Sequence, residues 1–162
     1  MSAPQFDAVL DALVAQLRAA SGFADPESGL TGVPVYDGPV PTGAKVNLFV
    51  AIGWDGIDGG DSEAASWESE PGSLGPASDR RETGYVTGVC IAQDGSDKFG
   101  PLRSTVASTI GLIDASIRST PALGLAPVVL WGELNRGSVA QGVGRRGAYV
   151  KADFTVTYYA RT

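Results

Sequence analysis

Apolar and polar positions alternate without a break over residues 148–160, AYVKADFTVTYYA. Ala148, Val150, Ala152, Phe154, Val156 and Tyr158 fall on one side, and Tyr149, Lys151, Asp153, Thr155, Thr157 and Tyr159 on the other. Alternation of this length, rich in β-branched and aromatic residues, predicts a half-buried strand. Such a strand needs partner strands for its backbone groups and a second layer over its apolar face.

The rest of the chain supplies both. Residues 2–20 carry Phe6, Val9, Leu10, Leu13, Val14 and Leu17 at spacings of three and four, one stripe of an amphipathic helix. Ser2 and Gln5 have capping-box spacing, and Gly22 is placed to end the helix. Residues 33–36 predict a short strand, which Pro34 would confine to a sheet edge. Turns are expected at Asp37-Gly38 and Pro41-Thr42-Gly43. Residues 46–54 are apolar on both faces and predict a central strand. Residues 84–93 alternate again. A second helix over 101–119 has Leu102, Val106, Ile110, Ile113 and Ile117 as its stripe, with Pro101 in the first turn and Pro121 beyond the end. Residues 128–134 read as a strand, and 135–147 as a Gly-rich, basic connection to the closing strand.

This order predicts an α+β fold: a mainly antiparallel sheet of about four to five strands, with two helices packed on one face. Leu13, Leu17, Ile110, Ile113, Phe154 and Val156 are expected in the core. A chain of 162 residues suits one domain spanning 1–162.

Residues 55–82 break the pattern. They hold Asp55, Asp58, Asp61, Glu63, Glu68, Glu70, Asp79 and Glu82 among many Gly, Ser and Pro, and predict a long acidic loop. Such a loop is expected to order only against a neighbour. Trp67 sits within it and should anchor on its own domain or on a partner.

Composition narrows the chemistry. The net charge of −6 argues against a protein that grips duplex nucleic acid. No histidine is present, which removes His-based triads, the usual zinc sites and the commonest general base. The one cysteine, Cys90, is expected as a buried apolar residue. No apolar run approaches the ~20 residues of a membrane span. The start MSAPQFDAVL lacks the pattern of a secretory signal, so a soluble protein that stays where it is made is expected.

Three motifs fail on their context. Gly142-Val-Gly144-Arg-Arg-Gly147 matches G-x-G-x-x-G, but a strand follows where a dinucleotide site needs a helix, so a hairpin tip is expected. Asp55, Asp58 and Asp61 are spaced by three, whereas a calcium loop spaces its first ligands by two. No nucleophile elbow or phosphate loop occurs. No catalytic residue, cofactor or metal ligand is assigned, and the chain is read as a non-enzyme.

Four stretches resemble the tail terminator (tail completion) proteins of long-tailed bacteriophages. These are FDAVLDALVAQLRAA, VPVYDGPVPTGAKVNLFVAIG, FGPLRSTVASTIGLIDASIRS and ADFTVTYYA. The resemblance is one of pattern over nearly the whole chain. It implies a small sheet with helices on one side. It further implies a ring, most often of six copies, that caps the head-proximal end of the tail tube and stops its growth. The partners implied are other copies of the chain, the tail tube protein and a head completion or connector protein. Genome DNA would pass through without sequence-specific binding. The location implied is the head–tail junction of the virion, assembled in the bacterial host cytoplasm. An acidic ring would repel phosphate and let DNA slide. Arg80, Arg81, Arg145 and Arg146 are candidate contact residues, because basic side chains are scarce and charged pairs fix register, and Trp67 joins them as a tryptophan standing among acids. Two alternatives stay open: another connector or tube protein of the same particle, and a small ligand-binding or enzymatic α+β domain.

Overall fold

The computed structural model describes residues 3–41, 44–72 and 79–162. Helix α1 spans Phe6–Ala19, followed by strands β1 (Phe23–Ala24), β2 (Val33–Asp37), β3 (Leu48–Ile52), β4 (Ala65–Pro71) and β5 (Arg80–Gln93). Helix α2 spans Phe99–Ser119, and β6 (Val129–Gly144) and β7 (Gly147–Arg161) close the chain. The sheet runs β1-β2-β3-β5-β7-β6, with β4 paired to β5 off this path.

The α+β class is as expected, but the sheet is larger and mixed, with seven strands in place of four or five. The pairs β1–β2 and β2–β3 are parallel and the others antiparallel. The link from β2 to β3 returns across the sheet, as their parallel pairing requires. Val40 and Val46 of that link pack with Tyr36, Phe49, Ala51, Trp54, Val89 and Ile91 on the face away from the helices. Burial of those valines favours the crossover over a tight turn. Part of the 41–43 turn and Ser2 of the capping box lie outside the described residues. Strand β2 is not the outermost strand, because the two-residue β1 covers it and Ala24 pairs with Pro34.

The expected loop at 55–82 is strand in part: Ala65–Pro71 form β4 and Arg80 opens β5. Strand β4 pairs along β5 from Ala65↔Val86 to Pro71↔Arg80. Thus β3 and β4 lie end to end along one side of β5, and β7 covers the other side from Arg81↔Arg161 to Gln93↔Tyr149. The polar composition of β4 hid it, since a strand exposed on both faces has no apolar period to read. The expected connection at 135–147 is instead strand that continues β6 into a hairpin with β7.

Both helices lie on one face. Val9, Leu13, Leu17, Ile113 and Ile117 share a core with Val35, Val50, Val86, Val150, Phe154, Val156 and Tyr158. Five of the six expected core residues are buried; Ile110 is only half-buried. Helix α2 is rolled so that Thr109 faces Cys90 of the sheet and Ser116 faces Gln16 of α1. Thr109 Oγ1 satisfies itself by donating to Thr105 O at 2.9 Å.

Two glycines make room for aromatic rings. Gly84 is paired with Tyr158 and Gly88 with Phe154. A Cβ on Gly84 would lie 2.0 Å from the Tyr158 ring, and one on Gly88 would lie 2.4 Å from the Phe154 ring. Each ring therefore lies flat over the neighbouring strand, which lets the helices pack close to the sheet.

Candidate functional site

The five candidate contact residues do not form one cluster. Trp67 lies on β4, on the helix-covered side, with its ring stacked on Phe6 of α1 at 4.8 Å and an interplanar angle of 15°. It anchors on its own domain, and 44% of it remains exposed. Arg80 and Arg81 open β5, and Arg81 sits between Glu70 of β4 and Arg161 of β7 on the opposite face. Arg145 and Arg146 form the two-residue turn joining Gly144 to Gly147. The G-x-G-x-x-G match is thus a hairpin tip, and Gly147 closes it at φ +92° against the backbone of Asp94 and Gly95. Strand β7 is 15 residues long, so at ~3.3 Å per residue roughly 45 Å separates the two arginine pairs.

Electrostatics divides the sheet surface. Arg161 of β7 pairs with Asp79, and Arg118 with Asp114 at 2.8 Å. Among the described residues, Arg80, Arg81, Arg136, Arg145 and Arg146 make no ion pair. On the helix-free face, Glu68 lies in register with Thr83 of β5 and Glu70 with Arg81. A polar groove on that face runs from Glu63 and Tyr85 across to Asn135 and Arg136, floored by Thr87 and Thr155. Thr157 Oγ1 and Asn135 Oδ1 are 2.9 Å apart there, with the hydroxyl donating. No group of three or more Cys, Asp or Glu side chains is placed to hold a metal among the described residues.

The helix-covered face has an open margin beside β6. Ile110 and Ala107 of α2, Leu134 and Val139 of β6, and Phe154 line an apolar groove there. Val139 is 64% and Val143 is 74% exposed. Sequence reasoning missed Arg136, Val139 and Val143, since glycines at 137, 142 and 144 masked the alternation of the strand. The signal that could have found them is Leu134, Val139 and Val143 among small residues, followed by a two-residue basic turn.

The buried polar groups are structural. Burial pushes the Cys90 thiol up to about 12, against a smaller opposing effect of a hydrogen bond with Thr109. Burial also raises the Tyr158 phenol above its usual value, helped by its hydrogen bond to Glu82 and that carboxylate's charge. Neither group is poised to ionise near neutral pH, so neither is an acid or base for chemistry at the surface. No described helix is long and apolar enough to cross a membrane.

No protein-family model matches the sequence, and no curated protein matches it at a significant level. Among solved structures, the chain is similar to a chain described as "Virion of native gene transfer agent (GTA) particle". The identity is 14%, 95% of each chain is covered, and the TM-score is 0.49.

Proposed function

We propose that this protein is a structural component of a phage-type particle that caps the head-proximal end of the tail tube as a ring, most often of six. The observation that carries this reading is the placement of the four stretches quoted for the resemblance. They supply α1, the β2–β3 pair, α2 and β7, with both helices on one face of one sheet. That is the fold the resemblance implies. The β4 part of the opposite face, with Glu68 and Glu70, and the β6 margin are left exposed for contacts with other macromolecules.

In this role the chain performs no chemistry. Its surfaces are shallow and polar on one face, with an apolar margin, a distribution suited to assembly. The partners are further copies, the tube protein below and a head completion or connector protein above. The acidic charge of the assembled ring keeps passing DNA from adhering.

Deletion of the gene in the source particle tests the reading. Loss is expected to give filled heads and separate tails that are unjoined or of abnormal length. Normal particles, or a defect confined to shell assembly or replication, would end it.

A further inference from the structure

Strands β4 and β6 are the two unpaired margins of the long part of the sheet. Among the described residues, strand β4 pairs with β5 alone and β6 with β7 alone. Strand β6 is 16 residues long, and beyond Gly132, whose N–H donates to Pro121 O at 2.6 Å, its outer edge has no backbone partner among the described residues. An unpaired edge this long is a template for another strand.

The two margins are complementary on both faces. On the helix-free face β4 presents Glu68 and Glu70, and residues 53–71 contain no basic side chain. On the same face β6 presents Arg136, opposite Thr155, and its hairpin ends in Arg145 and Arg146; residues 135–147 contain no acid. On the helix-covered face β4 presents Trp67, opposite Gly84, while β6 presents Val139, opposite Ala152, and Val143, opposite Ala148. Side chains on a strand alternate between faces, so margins must match in parity as well as charge to continue one sheet.

We infer that the β6 margin of one copy receives the β4 margin of a second copy, head to tail. In that arrangement Trp67 of the second copy extends the apolar row of Val139 and Val143 beside the groove under α2. With the strands antiparallel and Trp67 opposite Val139, Glu70 meets Arg136 on the other face and Glu68 lies at the next position along; the Arg145–Arg146 tip, roughly 30 Å further along β6, adds only long-range attraction at low salt. The contact uses different surfaces on the two copies, so each copy keeps one free margin of each kind. Repetition with a closing rotation gives a ring, and without it a filament. This inference takes its biological setting from the ring reading above, but the contact is argued from the margins alone.

Charge reversal with mixing tests it in the full chain. One variant carries Arg136→Glu, Arg145→Glu and Arg146→Glu, and the other Glu68→Arg and Glu70→Arg. The wild type should self-associate at low salt, measured by sedimentation equilibrium up to about 1 mM, and dissociate as salt rises. Each variant alone should associate at least ~10-fold more weakly, because like charges then face each other. An equimolar mixture of the two should recover association, since each reversed margin again meets an opposite charge. Circular dichroism melts check that the variants fold. Val139→Lys, a single change at an exposed edge position, should give the same weakening if a triple variant does not fold. A wild type that stays monomeric throughout, variants that associate like the wild type, or a mixture without recovery each overturn the contact. Such a result leaves the gene-deletion test of the particle role untouched, so the two failures are distinguishable.

Discussion

The phenol of Tyr158 donates to Oε1 of Glu82 at 2.7 Å, and both residues are buried. The same carboxylate oxygen accepts the backbone N–H of Gln5 at 2.9 Å. Gln5 is the N-cap of α1 and has no side-chain cap of its own. A carboxylate from β5 therefore takes an otherwise orphaned donor at the helix start, where negative charge is favoured, and a tyrosine from β7 holds it there. Three segments distant in sequence meet at one oxygen.

Removing the phenol leaves a buried carboxylate one donor short. Tyr158→Phe is expected to destabilise the fold by about 1–3 kcal/mol in denaturant unfolding. Tyr159→Phe, on the opposite face, should stay within about 0.5 kcal/mol. Equal, negligible effects at both positions would show that the Glu82 contact does not stabilise the fold.

Filling the space under the aromatic rings should be costly. Gly84→Ala and Gly88→Ala are each expected to cost ~1–3 kcal/mol by overpacking, because Tyr158 and Phe154 must lift from the strand. In a Tyr158→Leu background Gly84→Ala should cost less than in the wild type, read as the coupling in a double-mutant cycle. A Gly84→Ala chain as stable as the wild type would falsify the close packing.

Emptying the same layer should cost more. Phe154 is 3% exposed, between α2 and Gly88. Phe154→Ala is expected to lose about 3–5 kcal/mol, since a cavity remains beside the strand. Thermal melting in parallel with denaturant titration measures it. A loss under ~1 kcal/mol would mean that the site collapses or was never packed.

Cys90 and Tyr158 make alkaline stability fall in a defined order. In the unfolded chain the thiol loses its proton near its ordinary 9.0, whereas in the fold it holds it to about 12. Above pH 9 the folded chain therefore binds more protons than the unfolded one. This contribution is complete below that pH and is lost as pH climbs towards about 12. Tyr158 adds the same sign, beginning at about 10 where a free tyrosine ionises. Stability measured from pH 7 to 11 should decline, and Cys90→Ala should flatten the first part of the slope. A thiol reagent should react slowly with the native chain and fast in denaturant. Rapid native labelling would contradict the burial.

The sequence by itself determined where the strongly periodic elements lie. The stripe from Phe6 to Leu17, the stripe from Leu102 to Ile117 and the alternation of 148–160 each record which face is buried, and burial of one face enforces that period. Cys90 and the Arg145–Arg146 tip were readable for the same local reasons. Only the tertiary structure decided the rest. Strand β4 and the outer half of β6 are exposed on both faces, so they exist through backbone pairing with β5 and β7, and pairing partners leave no mark on composition. Glu82 looked like one more solvated acid of a loop, and its burial depends on Gln5 and Tyr158 arriving from either end of the chain. The candidate margins follow the same rule. Glu68 and Trp67 share a parity with Arg136 and Val139 only once β5 and β7 set the register between them, and register is a property of the assembled sheet.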